Sequence, residues 1–393
     1  MKVRALLFSL FCCLAALGLC ASENDTTVYF VNIYPGPEIY ELEGHSAVLV
    51  DIKGRQPMAY NFGVFDFNAP NFVYRFVKGE TDYRAVEWPW NAFLWPYVHQ
   101  GRRVVAHELN FDAAQKEALV RLLAENVRPE NAVYRYNYVK DNCATRPLRA
   151  VERAAGDSIV LGAAPFETAG EAAPTFRNVM RHYHSNYPWY QFGIDLALGS
   201  GIDYPLSRRE IAFAPAELDG MLSGATVGGK PLVKSSKVMA DFAPGNAVKA
   251  PTPWYLTPLA VGWAVFALAL ILTVRSVRRR RVGRLFDAVF FGIVGLAGLV
   301  LTFLIFISVH EATSPNWLYA WVNPAALLVP ATIYIKKAKI VLMWYQIANF
   351  AVLFALVAGW GLLPQSANAA FLPLILAEMM RSASYIYISK KNK

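Results

Sequence analysis

Residues 134–147 read Tyr134-Arg135-Tyr136-Asn137-Tyr138-Val139-Lys140-Asp141-Asn142-Cys143-Ala144-Thr145-Arg146-Pro147. A tyrosine-rich approach gives way to a run with helical texture, Ala144 to Ala155, and Gly156 supplies a stop. Cys143 is therefore expected at or next to a helix N-terminus. Of the four cysteines in the chain, it is the one that lies outside the N-terminal apolar segment. A single thiol in an exported chain has no intramolecular partner, so it is either an inert buried residue or a reactive one.

Outward from this stretch, the composition divides the chain. Across 393 residues 55% are apolar, and the mean hydropathy of +0.28 is too high for an ordinary soluble domain. Residues before about 250 carry Asp, Glu, Lys and Arg throughout; those after about 254 are apolar runs broken by basic clusters. The expected organisation is a signal peptide over residues 1–21, an extracytoplasmic domain over 22–250 and a membrane domain over 251–393. Lys2 and Arg4 precede the apolar run Ala5 to Leu19, which contains Cys12 and Cys13 and ends in small residues around Cys20. Ordinary cleavage near Ala21 is expected, with a lipoprotein signal at Cys20 or an uncleaved anchor as alternatives.

Five spans are expected near residues 255–274, 286–308, 318–335, 340–362 and 370–388, each close to the ~20 residues a bilayer core requires. Arg278 to Arg281, Lys336 with Lys337 and Lys339, and the tail Lys390, Lys391 and Lys393 then all fall on one side. That is the positive-inside pattern for an N-terminal domain on the outer face of the membrane. The net charge of +9 sits mostly in these loops, so nucleic acid is not an expected partner.

The soluble part opens with strand-like Thr26 to Ile33. Glu43 to Asp51 and Pro57 to Phe67 form a plausible hairpin across a turn at Asp51 to Arg55, with His45 at one end and Asn61 or Phe62 near it. Asn71 to Val77 and Tyr83 to Trp90 read as further strands, and Asp112 as the N-cap of a helix. Residues 157–250 give no clear pattern.

A nucleophilic cysteine needs a base, and the candidates are His45, His99, His107, His182 and His184. His45 follows a glycine and precedes small Ser46 and Ala47, which leaves its ring edge accessible; the bland alternative is a solvated strand-end histidine. His182-Tyr183-His184 lacks further ligands for a metal site. Asn61 and Asp66 are the candidates for a third group orienting the base, and either could equally be a turn cap. Cys143 has polar neighbours, which argues against inert apolar burial. A helix N-terminus would lower its pKa and offer N–H groups to an oxyanion. In the membrane half, His310-Glu311-Ala312-Thr313-Ser314-Pro315-Asn316-Trp317 is a short outer loop. It reads as an ordinary loop with an interfacial Trp anchor, or as a rim that positions a lipid head or peptide.

Several ordered motifs together resemble one family. They are Gly36-Pro37-Glu38-Ile39-Tyr40 leading to Gly44-His45-Ser46-Ala47, then Tyr60-Asn61-Phe62-Gly63-Val64-Phe65-Asp66-Phe67 and Pro70-Asn71-Phe72. Tyr134 to Tyr138 with Asp141 to Arg146, Gly193 to Gly199 with Asp203, and His310, Asn316-Trp317 and Asn323-Pro324 complete the set. The chain is similar to the Lnb-type lipoprotein intramolecular acyltransferases. That resemblance implies an α+β, circularly permuted papain-like (NlpC/P60-like) domain followed by an all-α bundle of five transmembrane helices, in the bacterial inner membrane with the first domain periplasmic. It implies catalysis by Cys143 and His45 and leaves the choice of third member between Asn61 and Asp66 where the strand reading put it; no cofactor is expected. Substrate contacts are expected from Asn142, Tyr138, Arg146, His310, Asn316 and Trp317. The implied partners are diacylglyceryl-modified lipoproteins and membrane lipid. The implied reaction moves an ester-linked acyl chain to the α-amino group of the lipoprotein's N-terminal Cys through a thioacyl enzyme. A membrane-anchored cysteine peptidase or amidase and a non-catalytic envelope scaffold are the alternatives; the oligomeric state is left open.

Overall fold

The computed structural model describes residues 26–156, 159–170, 174–243 and 250–391. The expected signal peptide, with Cys12, Cys13 and Cys20, lies outside them. The chain separates into two compact units that are not collinear with the sequence. The first takes residues up to 66, 82–171 and 207–247; the second takes 67–81, 172–206 and everything from 248 on.

The first unit is built on an antiparallel sheet. Its strands are β1 (Thr26–Ile33), β2 (His45–Ile52), β3 (Met58–Val64), β4 (Asp82–Pro89), β5 (Val104–Leu109), β6 (Val133–Arg135) and β7 (Val233–Ala240). Their order across the sheet is β7-β5-β1-β2-β3-β4-β6. The central strand β1 is buried without interruption from Val28 to Ile33, as expected for a strand covered on both faces. Tyr29, Val31 and Ile33 pack with Ala47, Leu49 and Ala59 against Trp90 and Phe93. These two aromatics come from helix α2 (Trp90–His99), α1 being Phe72–Lys78 in the second unit. The other face of β1 meets α5 (Pro215–Ser223), whose Asp219 bonds Asn32 and Tyr34. Between them in sequence lie α3 (Ala113–Asn126) and α4 (Thr145–Ala155), which buries Leu148, Val151 and Ala154.

Local chemistry accounts for these boundaries. Asp112 and Gln115 form a reciprocal capping box at the start of α3, so the N-cap expectation holds. Gly156, at φ 70°, ends α4. The expected strand over 71–77 is instead the helix α1. Asn71 at φ 55° and Gly79 at φ 80° turn the chain at both ends. Its large residues, Phe72, Val73, Phe76 and Val77, recur at i, i+1, i+4 and i+5, and the Phe72 and Phe76 rings stack at 6.1 Å. The spacing was helical; the β-branched content disguised it.

The second unit holds four long helices, α6 (Pro258–Arg279), α7 (Arg284–Phe306), α8 (Lys339–Ala358) and α9 (Phe371–Lys391). Among the described residues three helical stretches, Pro258–Arg279, Arg284–Phe306 and Lys336–Ala358, are long and apolar enough to cross a membrane. The expected span at 318–335 is a series of short pieces: 3-10 turns at Trp317–Ala320 and Pro324–Leu327, then a helix at Leu328–Thr332. Broken helix of this kind would be tolerated within a bilayer only with protein around it. It has it here. Leu318, Trp321, Ala326 and Val329 are buried, and Gly295 and Gly298 of α7 let its backbone approach so closely that a Cβ would meet Leu327 or Asn323 at under 3 Å. In α9, Arg381 does not break the helix. Its guanidinium is paired with Asp287 of α7 at 2.6 and 3.1 Å and bonds Thr273, so both charges are matched where they are buried.

Candidate functional site

Gly44 sets the geometry of the site. It lies at φ 88°, and a Cβ there would sit 2.5 Å from the Ile33 carbonyl oxygen, so only glycine brings the chain into β2 this tightly. His45 begins β2, and Ala47, two residues on, pairs with Asn61 of β3. That register lets the His45 Nε2–H donate to Asn61 Oδ1 at 2.6 Å. The bond fixes the tautomer and leaves Nδ1 as the lone-pair nitrogen. The hairpin expectation for His45 and Asn61 is met. Asp66, the other candidate, is solvent-exposed beyond the end of β3.

Cys143 precedes α4. Its thiol accepts hydrogen bonds from the Tyr136 hydroxyl, from the Ser46 backbone N–H and from its own N–H. Ser46 follows His45 directly, so Cys143 lies beside the start of β2. Gly63 of β3 borders the thiol: at φ 88°, its missing Cβ would lie 3.4 Å from both Cys143 Cβ and the Tyr136 ring. Tyr136 is held by stacking on Tyr83 at 4.1 Å. Cys143 and His45 each keep part of their surface accessible. Among the described residues Cys143 is the free cysteine.

The electrostatics run against the sequence expectation for the thiol. Burial pushes Cys143 up to about 11, reinforced by the nearby Glu43 carboxylate and only partly offset by the three donors. The helix N-terminus contributes little because its N–H groups are already taken. Asn142 Oδ1 accepts from the Ala144 and Thr145 amides, each at 2.9 Å. Burial likewise pushes His45 down to about 4, with the Arg102 charge adding to the effect and the Asn61 bond opposing it. The resting state is thus neutral thiol and neutral imidazole.

The remaining expected residues have defined structural partners. Asn142 also donates to the carbonyls of Tyr138 and Phe213 at 2.8 Å, which makes it the clamp of the Cys143 loop. Tyr138 donates to Glu43 at 2.5 Å. Arg146 holds Asp141 through two bonds and lies 3.5 Å over the Tyr134 ring. His310, Asn316 and Trp317 belong to the second unit. There His310 Nε2 donates to the Phe76 carbonyl at 2.8 Å, and Asn316 bonds Leu196 and caps the turn that starts at Trp317. Trp317 is half-exposed, as an interfacial anchor would be.

Sequence reasoning missed Tyr136 as a thiol partner, although its tyrosine-rich setting was noted. It also missed a buried network behind the site. The Ser46 hydroxyl donates to Asn32, Asn32 to Asp219, and Asp219 accepts as well from Tyr34 and His107. Residues this far apart in sequence carry no local signal. His107 belongs to this network; His99 stacks on Trp95, and His184 bonds Gln191 in the second unit.

A sheet domain with a partly accessible, hydrogen-bonded thiol, continued by a helical part able to cross a membrane, defines a two-part membrane protein. Residues 21–179 match the Lnb N-terminal periplasmic domain, and residues 250–393 match the Lnb transmembrane domain. The chain belongs to the Lnb family of membrane enzymes that modify lipoproteins, with its N-terminal domain periplasmic and its helical part in the inner membrane. No curated protein and no solved structure matches it.

Proposed function

We propose that this protein N-acylates bacterial lipoproteins through a thioacyl intermediate on Cys143, with His45 as general base and Asn61 orienting it. The observation that carries the reading is the Cys143 thiol held by the Ser46 N–H, the Tyr136 hydroxyl and its own N–H, next to a histidine clamped by an amide. The donor is an ester-linked acyl chain of the diacylglyceryl group on the substrate's N-terminal Cys. As Sγ attacks the ester carbonyl, His45 Nδ1 takes the thiol proton. Both groups start neutral, so deprotonation of the thiol accompanies the attack rather than preceding it. The donors around Sγ face the developing oxyanion. Collapse expels the glyceryl oxygen, which takes the proton from His45. The substrate's α-amine then attacks the thioester, gives its proton to His45, and the departing thiolate recovers it. Donor and acceptor share one molecule, so the second step is effectively unimolecular, an advantage measured as effective molarities up to about 10⁵–10⁸ M.

The reading includes a permuted papain-like first domain, a cleaved signal peptide and five membrane crossings, with residues 318–335 as the broken third. His310, Asn316 and Trp317 form an outer rim for the acyl-glyceryl group, and Tyr138 and Arg146 border the substrate path. Mass spectrometry of a lipoprotein's N-terminal peptide tests the function. The intramolecular shift leaves the mass unchanged while moving one acyl group to nitrogen, and Cys143→Ser abolishes the move. A gain of one acyl chain would instead mean an external lipid donor; loss of one would mean a hydrolase.

A further inference from the structure

We propose that α1, the segment between β3 and β4, is an interfacial helix that lies in the outer leaflet at the headgroup–acyl boundary. The helix Phe72-Val73-Tyr74-Arg75-Phe76-Val77-Lys78 buries none of its residues. Val73 is 73% exposed, and Tyr74, Phe76 and the preceding Phe67 are each more than half exposed. Four large apolar side chains turned outward over a dozen residues are a cost in water and a fit to lipid.

The position of the helix within the second unit decides which solvent it meets. The Val309 amide and the Ser308 hydroxyl both donate to the Lys78 carbonyl, and His310 Nε2 donates to Phe76. Tyr74 packs edge-on against Phe303 at 6.0 Å. Phe303 lies in the last turn of α7, and Ser308, Val309 and His310 follow directly on its C-terminal end. Leu296, Leu299, Val300, Phe306, Ile307 and Val309 carry an exposed apolar surface up that helix to the same level. A bilayer that wets α7 to its end therefore meets α1. Trp254 and Tyr255, just before α6 and so on the same side of the membrane, are exposed aromatics of the kind that mark an interface. Arg75 and Lys78 sit in the last turn, where Arg75 donates to the Glu80 carbonyl at 2.9 Å and Lys78 pairs with the Glu80 carboxylate at 2.8 Å. Because α1 joins the strand that carries Asn61 and Gly63 to β4, its lipid contact would tie the catalytic sheet's own connection to the membrane surface.

The test uses the full chain with its cysteines replaced by serine, in phosphatidylethanolamine–phosphatidylglycerol nanodiscs, with the environment-sensitive fluorophore NBD on Val73→Cys. Glu117→Cys, at an exposed position of α3, is the aqueous control. Lipid bearing a doxyl group near the headgroup is expected to quench position 73 several-fold more than 117, with iodide showing the reverse order. Equal iodide quenching at both positions overturns the proposal. So does protection at 73 from both quenchers, which would mean that protein, including a second copy of this chain, covers the helix. Because the labelled variant lacks Cys143, neither result depends on the acyl-transfer reading.

Discussion

At Cys143, burial competes with three hydrogen-bond donors, and burial wins: the thiol stays protonated until about pH 11 and His45 stays neutral down to about pH 4. The sign of the pH dependence follows. Between pH 6.5 and 4 the unfolded chain binds a proton at His45 that the folded chain refuses, so this stabilisation is complete above pH 6.5 and lost as pH falls towards 4. Between pH 9 and 11 the unfolded chain releases a Cys143 proton that the folded chain keeps, so stability falls as pH rises through that window. The acid limb of the kcat/KM profile is therefore expected well below 6.5, near 4, and an acid limb at 6.5 would contradict the buried, neutral base. Asn61→Ala removes the bond that raises the His45 pKa, so the limb should move lower still while the rate falls. His45→Ala should cost about 10²–10⁴-fold in kcat, the usual contribution of a general base. Asn142→Ala should lower thermal stability by more than a typical polar substitution. It strands two amide donors and two carbonyls, each costing about 1–3 kcal/mol if left buried and unpaired.

At the scale of elements, tight backbone turns bring the site together. Gly44→Ala forces a left-handed residue against the Ile33 carbonyl and should cost at least about 1–3 kcal/mol, read as a lower unfolding temperature together with reduced acylation. The β2–β3 hairpin and the cap of α3 were legible because alternation and capping chemistry are local. Helix α1 was not, since its β-branched residues outweighed its spacing, and residues 157–250 stayed unread because short elements carry little periodicity. In the second unit the Asp287–Arg381 pair makes a charged residue tolerable within α9. Arg381→Ala should destabilise the protein by about 3–5 kcal/mol by leaving a buried carboxylate unmatched, and Arg381→Met with Asp287→Leu should recover most of it. Thermal unfolding of both variants in detergent checks this.

At the scale of the whole molecule, the division into a polar first part and an apolar second part was readable from composition. The membership of 67–81 and 172–206 in the helical unit was not, because each is an insertion with partners far off in sequence, from Leu256 for Trp189 to His310 for Phe76. Five crossings require an odd parity. A phosphatase reporter fused after Ser366 should be active and one fused after Lys391 inactive, and activity at both would exclude the proposed topology. The most direct test of the thioacyl mechanism uses a diacylglyceryl lipopeptide with its α-amine acetylated, so that the second step has no acceptor. Intact-protein mass spectrometry should then show this protein heavier by one acyl chain, mapped to Cys143 and released by neutral hydroxylamine, with His45→Ala accumulating far less. An unmodified Cys143, or an acyl group on another residue, would contradict it.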